Sequence, residues 1–344
     1  MWQKRVFVFV SSFLLVALPA APDNLIIGSS PTDPARSTFE KHSDTGALEA
    51  TGNLSIPRAE HSATLLKNST IFVAGGTDDT TSWQIFNESG TVLSSGFLRD
   101  SRFGHSATLL TNGNVFIAGG SGSPGTWEIH SATGSLVASG SLNGSRTYGV
   151  TAVTLHNGNV WVSGSSFGNF DACTWEIRSS GGGLVNSGSL ENCFAGGQVQ
   201  VLSNSNIILL GGDNNPSTYE IRTQAGAFVK TGTLLSTFNS GASSVLLTNG
   251  HVFIFGSCST SNCNNTGSPA TWEIRDINGN FVSTGSLQDT RDTAGAAVLS
   301  TGNVFITGGN SSPGSWEIRS ATGAFVSSGS LFDTRYGGQS LTHF

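Results

Sequence analysis

The sequence repeats itself with a period close to 44 residues, and this repetition constrains the fold more than any other feature. A Trp-Glu-Ile triplet marks the copies, and a Gly-x-Leu motif follows each one. Seven copies of so short a unit predict a closed or stacked array, because one unit cannot bury its own apolar face. The marker residues are Phe39, Trp83, Trp127, Trp175, Tyr219, Trp272 and Trp316, at steps of 44, 44, 48, 44, 53 and 44 residues.

Within each copy the pattern indicates four short β-strands. In the copy with Trp127, runs rich in Val, Ile, Phe, Thr and Trp cover residues 105–110, 115–118, 126–129 and 136–139, with Gly, Asn, Ser and Pro between them. Asn112-Gly113 supplies the positive φ values of a tight hairpin, so the first two strands should pair antiparallel. The Gly119-Gly120 pair ends the second strand. Four strands in each of seven units predict an all-β, seven-bladed β-propeller of four-stranded antiparallel blades.

The repeat resembles the Kelch repeat of galactose-oxidase-like propellers. The resemblance rests on Arg-x-x-His-Ser-Ala-Thr-Leu-Leu, on the Gly-Gly pair, on the downstream Thr-Trp-Glu-Ile and on Gly-Ser-Leu, as in residues 102–142. It covers roughly residues 24–344. Blades three and five depart from it, with Ser163-Gly164 and Phe255-Gly256 in place of the double glycine.

The two ends of the chain should share one blade. Residues 24–28, 38–40 and 48–51 match the second, third and fourth strands (B, C and D) of the repeat, and a first strand is missing there. Residues 335–344 match a first strand (A), after which the sequence stops. Such a closure removes exposed sheet edges between the first and last blades.

The N-terminus has the pattern of a secretory signal peptide. Lys4 and Arg5 precede an apolar run from Val6 to Leu18, and small residues follow at Ala20 and Ala21. A membrane anchor is the alternative, but 13 residues interrupted by two serines are too short to span a bilayer. The expected organisation is a signal peptide over residues 1–21 and one propeller domain over residues 22–344. The mature chain should be secreted or held at the cell surface, without membrane insertion.

Charge and cysteine content agree with an exported protein. The formal net charge of -6 argues against nucleic acid or an anionic membrane as the main partner. Four cysteines favour disulfides, and the loop positions favour the pairs Cys173–Cys193 and Cys258–Cys263. A cysteine metal site remains the alternative, although the spacing matches no standard zinc pattern.

One repeat position predicts a ring of side chains around one mouth of the central channel. It lies four residues after each Gly-x-Leu leucine, where a blade's innermost strand begins. Guanidinium groups bind carboxylates, sulfates and phosphates, and Phe can stack on sugar rings, so this ring predicts an anion or acidic-glycan site. The alternative is a structural role, with the Trp-Glu-Ile glutamates as partners. The ring comprises Arg58, Arg102, Arg146, Phe194, Phe238, Arg291 and Arg335.

Catalytic signals are weak. The copper enzymes of the resembled family use two tyrosines and two histidines, with one tyrosine cross-linked to cysteine, and this chain has only Tyr148, Tyr219 and Tyr336. We therefore expect no cofactor. His61 and His105 occupy equivalent positions, but two ligands do not make a metal site. Loop carboxylates keep a hydrolase or lyase open as an alternative; these are Asp78, Asp79, Asp171 and Asp213.

These observations favour a secreted, non-catalytic binding module that recognises an extracellular protein or glycan at the channel mouth. The first alternative is a structural subunit that self-assembles in an extracellular or cell-surface layer. The second is an extracellular carbohydrate-active enzyme that uses loop carboxylates. Propellers serve all three purposes, so the choice between them needs the geometry of the site.

Overall fold

The computed structural model describes residues 23–27, 38–87, 89–165, 170–256, 270–336 and 340–343. Regular structure in these ranges is β-sheet, apart from one 3-10 turn at Phe170–Cys173. No helix in the described part of the chain has the length and apolar character needed to cross a bilayer. The predicted signal peptide, residues 1–21, lies outside the described residues.

The strands follow the repeat. The first three are β1 (Asp23–Ile27), β2 (Thr38–Ser43) and β3 (Leu48–Asn53). Next come β4 (Ser62–Leu65), β5 (Ile71–Ala74), β6 (Ser82–Phe86) and β7 (Val92–Phe97), then β8 (Ser106–Leu109), β9 (Val115–Ala118), β10 (Thr126–His130) and β11 (Leu136–Ser141). The next two units are β12 (Thr151–Thr154), β13 (Val160–Ser163), β14 (Thr174–Arg178) and β15 (Leu184–Ser189), and β16 (Gln198–Val201), β17 (Asn206–Leu210), β18 (Thr218–Thr223) and β19 (Phe228–Thr233). The last strands are β20 (Ser243–Leu246), β21 (Val252–Phe255), β22 (Thr271–Arg275), β23 (Phe281–Ser286), β24 (Gly295–Val298), β25 (Val304–Thr307), β26 (Ser315–Arg319), β27 (Phe325–Ser330) and β28 (Ser340–His343).

These strands form four-stranded antiparallel sheets, which confirms the all-β propeller of antiparallel blades. Six sheets consist of four consecutive strands each, and we number them blades 1 to 6 from β4 to β27. A further sheet has the order β28-β1-β2-β3, and we call it blade 7. In it Asn24 pairs with His343 and Ile27 with Ser340, which is the pairing expected of a blade shared between the two ends.

Burial changes from the inside of a blade to the outside. The second and third strands are buried along almost their whole length, as the runs Ile71–Ala74 and Ser82–Phe86 illustrate. The fourth strands are mostly exposed. The innermost strands neighbour one another around the central channel, and β28 lies between β24 and β4. Hydroxyl groups join some of these neighbours; the Ser106 hydroxyl, for example, accepts the Ala152 N–H at 2.9 Å.

The repeat-equivalent aromatic residues pack between blades, as their regular spacing predicts. Trp83 of blade 1 lies against Gly134 in a turn of blade 2, where an added Cβ would come within 2.0 Å of the indole ring. Every blade repeats this contact with the next one around the propeller. The other pairs are Trp127–Gly182, Trp175–Gly226, Tyr219–Gly279, Trp272–Gly323, Trp316–Gly46 and Phe39–Gly90.

The disulfide prediction is confirmed in its described half. Cys173 and Cys193 are bonded, and they join the loop inside blade 3 to the loop that leaves it. Such a bond fits an extracellular location. Cys258 and Cys263 lie outside the described residues, so their pairing stays a prediction.

Candidate functional site

The candidate site lies on the side of the propeller that we call the loop face. It carries the connections between second and third strands and the connections from one blade to the next, because antiparallel strands bring these two loop classes to the same end. Hydrogen bonds join the two classes: the Gly76 N–H of a connection inside blade 1 donates to the Arg102 carbonyl at the entry to blade 2. The opposite side, with the tight hairpins, we call the hairpin face.

The predicted ring of arginines is buried inside the blades. In blade 2 the Arg102 side chain donates to the Glu128 carboxylate at 2.8 Å and to the carbonyl of Gly119 at 2.8 Å. The nitrogen that binds Gly119, Nη1, also reaches the Thr126 carbonyl at 3.1 Å, and Nη2 donates to the Thr126 hydroxyl at 2.7 Å. Neither Arg102 nor its Glu128 partner has a solvent-exposed side chain.

The equivalent residues in the other blades are buried as well. The glycine that ends the second strand offers its carbonyl to Arg58, Arg146 and Arg291, as it does to Arg102. Arg335 donates to Glu40 at 2.9 Å and to the Thr38 carbonyl at 3.1 Å. The contacts therefore favour the structural role that the sequence left open, and these side chains do not line an accessible mouth. The fully or almost fully buried set is Arg58, Arg102, Arg146, Phe194, Phe238, Arg291 and Arg335.

In every blade except blade 1, which has Gln84, the glutamate after the marker aromatic residue binds the loop that enters its own blade. One oxygen of Glu128 accepts a hydrogen bond from the backbone N–H of Arg99 at 2.9 Å and bonds with the Nε2 atom of His130 at 2.8 Å. Burial on its own would raise the pKa of Glu128, but the bonds from His130 and Arg102 lower it to about 2. The equivalent glutamates of the other blades accept hydrogen bonds from the backbone N–H groups of Asn143, Glu191, Leu235, Gln288 and Phe332.

A cluster of three side chains, Glu60, Phe103 and Tyr148, lies at the mouth of the channel on this face, and we call it the mouth cluster. Glu60 lies two residues after Arg58 of blade 1, and Phe103 directly follows Arg102 of blade 2. Tyr148 lies two residues after Arg146 of blade 3. The rings of Phe103 and Tyr148 meet edge to face at 5.6 Å. Tyr148 is 43% exposed, so this aromatic surface is open to solvent.

The backbone holds Glu60 in an unusual conformation. Its φ is 54°, whereas the equivalent positions in blades 2 and 4 are Gly104 and Gly196, with φ of 59° and 66°. A left-handed conformation is costly for a residue with a side chain, and such strain concentrates at functional sites. Thr293 of blade 6 also has a φ of 54°, so two blades place a residue with a side chain in a conformation that glycine adopts without cost, and in blade 1 that residue is a carboxylate.

The Glu60 carboxylate has an incomplete hydrogen-bond shell. Its Oε2 atom is buried, and no donor among the described residues reaches it. Burial raises the pKa of Glu60. Burial and the nearby Glu60 carboxylate both raise the pKa of Tyr148, whose hydroxyl bonds with Ser121. A buried carboxylate oxygen without a donor loses its hydration without compensation, which costs free energy.

The two candidate metal histidines lie below the mouth and are buried. The Nε2 atom of His105 bonds with the Ser62 hydroxyl at 2.7 Å. Burial and the nearby Arg102 lower the pKa of His105 to about 3. Burial, Arg58 and His105 lower the pKa of His61 well below its usual value. Across the described residues, no group of three or more His, Cys, Asp or Glu side chains is placed to hold a metal ion.

Most of the loop carboxylates proposed from the sequence bind backbone groups in turns. Asp79 accepts the N–H groups of Thr81 and Ser82. Asp171 accepts the N–H of Ser145 at 2.7 Å, and Asp213 that of Ser240 at 3.0 Å. Asp78 is exposed in the same loop as Asp79.

Neither Glu60 nor Phe103 was predicted from the sequence to belong to a site, and Tyr148 was predicted only not to form the copper site of the resembled family. A usable signal was present, because Glu60 and Thr293 replace glycine at a position where Gly104 and Gly196 stand in other blades. A charged residue where the repeat has glycine marks a loop that departs from the common structure.

No family model matches the chain, and no curated protein matches it. Solved structures resemble it over most of its length. A fungal alcohol oxidase of the AA5 family, in complex with copper, has a TM-score of 0.68 at 17% identity, covering 83% of this chain and 68% of that chain. A functionally unknown protein from Desulfotomaculum acetoxidans has a TM-score of 0.65 at 14% identity, covering 94% and 99%. Streptogramin B lyase has a TM-score of 0.60 at 10% identity, covering 85% and 92%.

These likenesses establish the propeller fold and nothing more, because all three identities are low. Two of the similar structures are enzymes with different chemistry, which fits the general rule that propellers carry unrelated functions. Membership of the Kelch family stays a prediction.

Proposed function

We propose that the protein is an extracellular binding module that recognises its partner, a protein or a glycan, at the mouth cluster on the loop face. The observation that carries the proposal is the Glu60 carboxylate, which a strained backbone holds beside the exposed ring of Tyr148 with one oxygen lacking a donor. Exposed aromatic rings beside a desolvated polar group are typical of the centres of binding surfaces. A hydrolytic role has less support, since Asp79, Asp171 and Asp213 bind backbone N–H groups.

A binding screen of residues 22–344 against glycan and extracellular-protein panels tests this proposal. The variants Glu60→Gln and Tyr148→Ala should weaken binding of any partner about tenfold or more, as expected for residues at the centre of an interface. Phe332→Ala and Glu191→Gln are matched controls, because both side chains are exposed on the loop face and lie outside the mouth cluster. A partner that binds all four variants as tightly as the wild type would contradict the proposal.

The outermost strands favour a second candidate, a self-assembling structural subunit. These strands form the free edges of the blades, and five of them contain no charged residue. Each exposes consecutive apolar residues, such as Phe325 and Val326 at 46% and 49%. Natural edge strands are normally protected by charges, often lysine, so uncharged apolar edges are suited to pairing with the same edge of another copy. The five strands are β7, β11, β15, β23 and β27.

Sedimentation velocity over a range of concentrations tests this second candidate. A variant with lysine in place of four edge valines (Val137, Val185, Val282 and Val326) should remain monomeric where the wild type associates. The matched control carries lysine at four exposed hairpin-face threonines (Thr111, Thr133, Thr248 and Thr301) and should associate like the wild type. A wild-type chain that stays monomeric at high concentration would exclude this role.

A further inference from the structure

The geometry of the mouth cluster is that of a small binding site for one polar group. Glu60 and Tyr148 flank Gly104, and both lie within 4 Å of the point where a Cβ of residue 104 would stand: 3.8 Å for the Glu60 Oε2 atom and 2.7 Å for the Tyr148 ring. Phe103 supports the Tyr148 ring from the side. The Glu60 carboxyl group and the Tyr148 ring therefore approach the same point beside Gly104, where the Oε2 atom itself is buried.

We infer that the mouth cluster binds a primary alkylammonium group, such as a lysine side chain of a protein partner; this inference rests on the proposed function. An ammonium group donates hydrogen bonds and carries a positive charge, so it supplies both things that the Glu60 carboxylate lacks. Its positive charge is also attracted to the face of the Tyr148 ring. A sugar hydroxyl supplies only the hydrogen bond.

The charge of the surrounding surface supports a cation and argues against the acidic ligand expected from the sequence. The ring arginines are buried and bonded to protein oxygens, so a ligand cannot reach their guanidinium groups. In the described part of the loop face, Arg99 is the exposed basic side chain. Exposed or half-exposed carboxylates outnumber it, and a surface of one sign attracts ligands of the other. Asp100, Asp289 and Asp333 pair with the ring arginines Arg102, Arg291 and Arg335, and the other exposed or half-exposed carboxylates of this face are Glu60, Asp78, Asp79, Asp171, Glu191 and Asp213.

Titration with model compounds tests the inference directly. The probes are Nα-acetyl-lysine N-methylamide, its uncharged norleucine analogue and n-butylammonium, followed by calorimetry or ligand-observed NMR. The lysine compound should bind at least about tenfold more tightly than the norleucine compound, since only the former provides charge and donors. Binding of n-butylammonium as tight as that of the lysine compound would identify free amines as an equally suitable source of the ammonium group.

Variants separate the roles of the two side chains. Glu60→Gln keeps the size of the side chain and removes its charge, so lysine-compound binding should fall about tenfold or more. Tyr148→Ala should weaken it further, whereas the matched controls Glu191→Gln and Phe332→Ala should not. Glu60→Gly is a second variant that the backbone accepts, because glycine occupies this position in blades 2 and 4. Equal binding of the norleucine compound, or unchanged binding by Glu60→Gln and Glu60→Gly, would overturn the inference.

The experiments distinguish failure of the ammonium inference from failure of the proposed function. If a partner found in the screen depends on Glu60 and Tyr148 while the lysine compound does not bind, the mouth cluster recognises an uncharged group and the ammonium inference is wrong. If neither the partner screen nor the lysine compound responds to the cluster variants, both proposals are wrong.

Discussion

At the scale of single residues, Glu60 links backbone strain to binding. Replacement by glycine should remove the strain of a φ of 54°, so we expect Glu60→Gly to leave the free energy of unfolding unchanged or to raise it by up to about 1 kcal/mol. The same change at Glu191, an exposed loop residue without a positive φ, should lower it by about 0.5–1 kcal/mol. Chemical denaturation of both variants measures the difference. A larger loss of stability at Glu60 than at Glu191 would contradict this account.

The inter-blade tryptophan contact provides a second residue-scale prediction. Gly134 and Gly113 have nearly the same φ, 89° and 88°, but a Cβ would lie 2.0 Å from Trp83 at position 134 and 3.9 Å from its nearest neighbour at position 113. Alanine at Gly113 should cost about 1 kcal/mol through φ alone, and alanine at Gly134 about 1–3 kcal/mol more through steric conflict. Thermal or denaturant unfolding of both variants measures this difference. Equal losses would mean that the indole ring moves aside freely.

The repeat made some residues predictable and hid others. Trp83 and Arg102 recur at fixed intervals, so their shared roles in packing and in ion pairs could be considered from the sequence. The sequence could not show whether the Arg102 guanidinium is buried or exposed, because its burial depends on the backbone carbonyl groups of Gly119 and Thr126 that bind it. Glu60 and Tyr148 were not predicted to lie together, because their proximity around Gly104 depends on the packing of three separate blades.

At the scale of the element, the residues that pair with the buried glutamate differ between blades, and the residues of one blade can be substituted into another. Blade 2 surrounds Glu128 with Arg102 and His130, whereas blade 4 has Phe194 in the first position and Arg222 in the second. Each arrangement gives the buried glutamate one arginine. In blades 3 and 6 both positions are arginine, so the exchange of one position for the other applies to blades such as 2 and 4.

We expect Arg102→Phe alone to lower the free energy of unfolding by about 3–5 kcal/mol, because it leaves Glu128 buried without a guanidinium partner. Adding His130→Arg rebuilds the arrangement of blade 4 and should restore roughly half of the loss, judged by the usual size of coupling in a shared network. Chemical denaturation of the two single variants and the double variant measures this coupling. Losses that simply add would show that the two positions do not compensate each other.

At the scale of the whole molecule, the buried histidines make stability depend on pH. The folded protein holds His105 with a pKa of about 3 and His61 with a pKa well below 6.5, so both stay neutral when the unfolded chain takes up protons. The free energy of unfolding should therefore fall as the pH drops below about 6.5, by up to about 1.4 kcal/mol per pH unit for each histidine. Denaturant unfolding between pH 7 and pH 5 measures this slope.

The histidine slope must be separated from the slopes of other groups. Burial raises the pKa values of Glu60 and Asp292, and carboxylates of this kind favour folding at lower pH, which opposes the histidine effect. His105→Gln should reduce the slope while these other groups remain. His156→Gln, at an exposed histidine of the hairpin face, is the matched control. Identical slopes for the wild type and His105→Gln would show that His105 does not control acid sensitivity.

The fold was largely predictable at this scale, because strand number and order follow from repeated local patterns that need no knowledge of distant contacts. The third and fourth strands of the repeat were assigned correctly in blade 7 from β2 and β3, and β28 supplies the innermost strand beside β1. Surface properties were less predictable. The burial of the ring arginines could not be read from the sequence, because burial of a charged side chain depends on the protein groups that pack around it and bond to it.

Blade 7 also has a consequence for the speed of folding. Blades 1 to 6 can form from hairpins of neighbouring strands, whereas the pairing of Asn24 with His343 must join segments from opposite ends of the described chain. Contacts between distant segments form slowly, since the ordering entropy is spent before the contact stabilises the chain. This strand pair should therefore be the last to form. A circular permutant that places residues 335–344 ahead of residue 23 makes the four strands of blade 7 contiguous, and stopped-flow refolding should show it reaching the native state sooner than the parent chain.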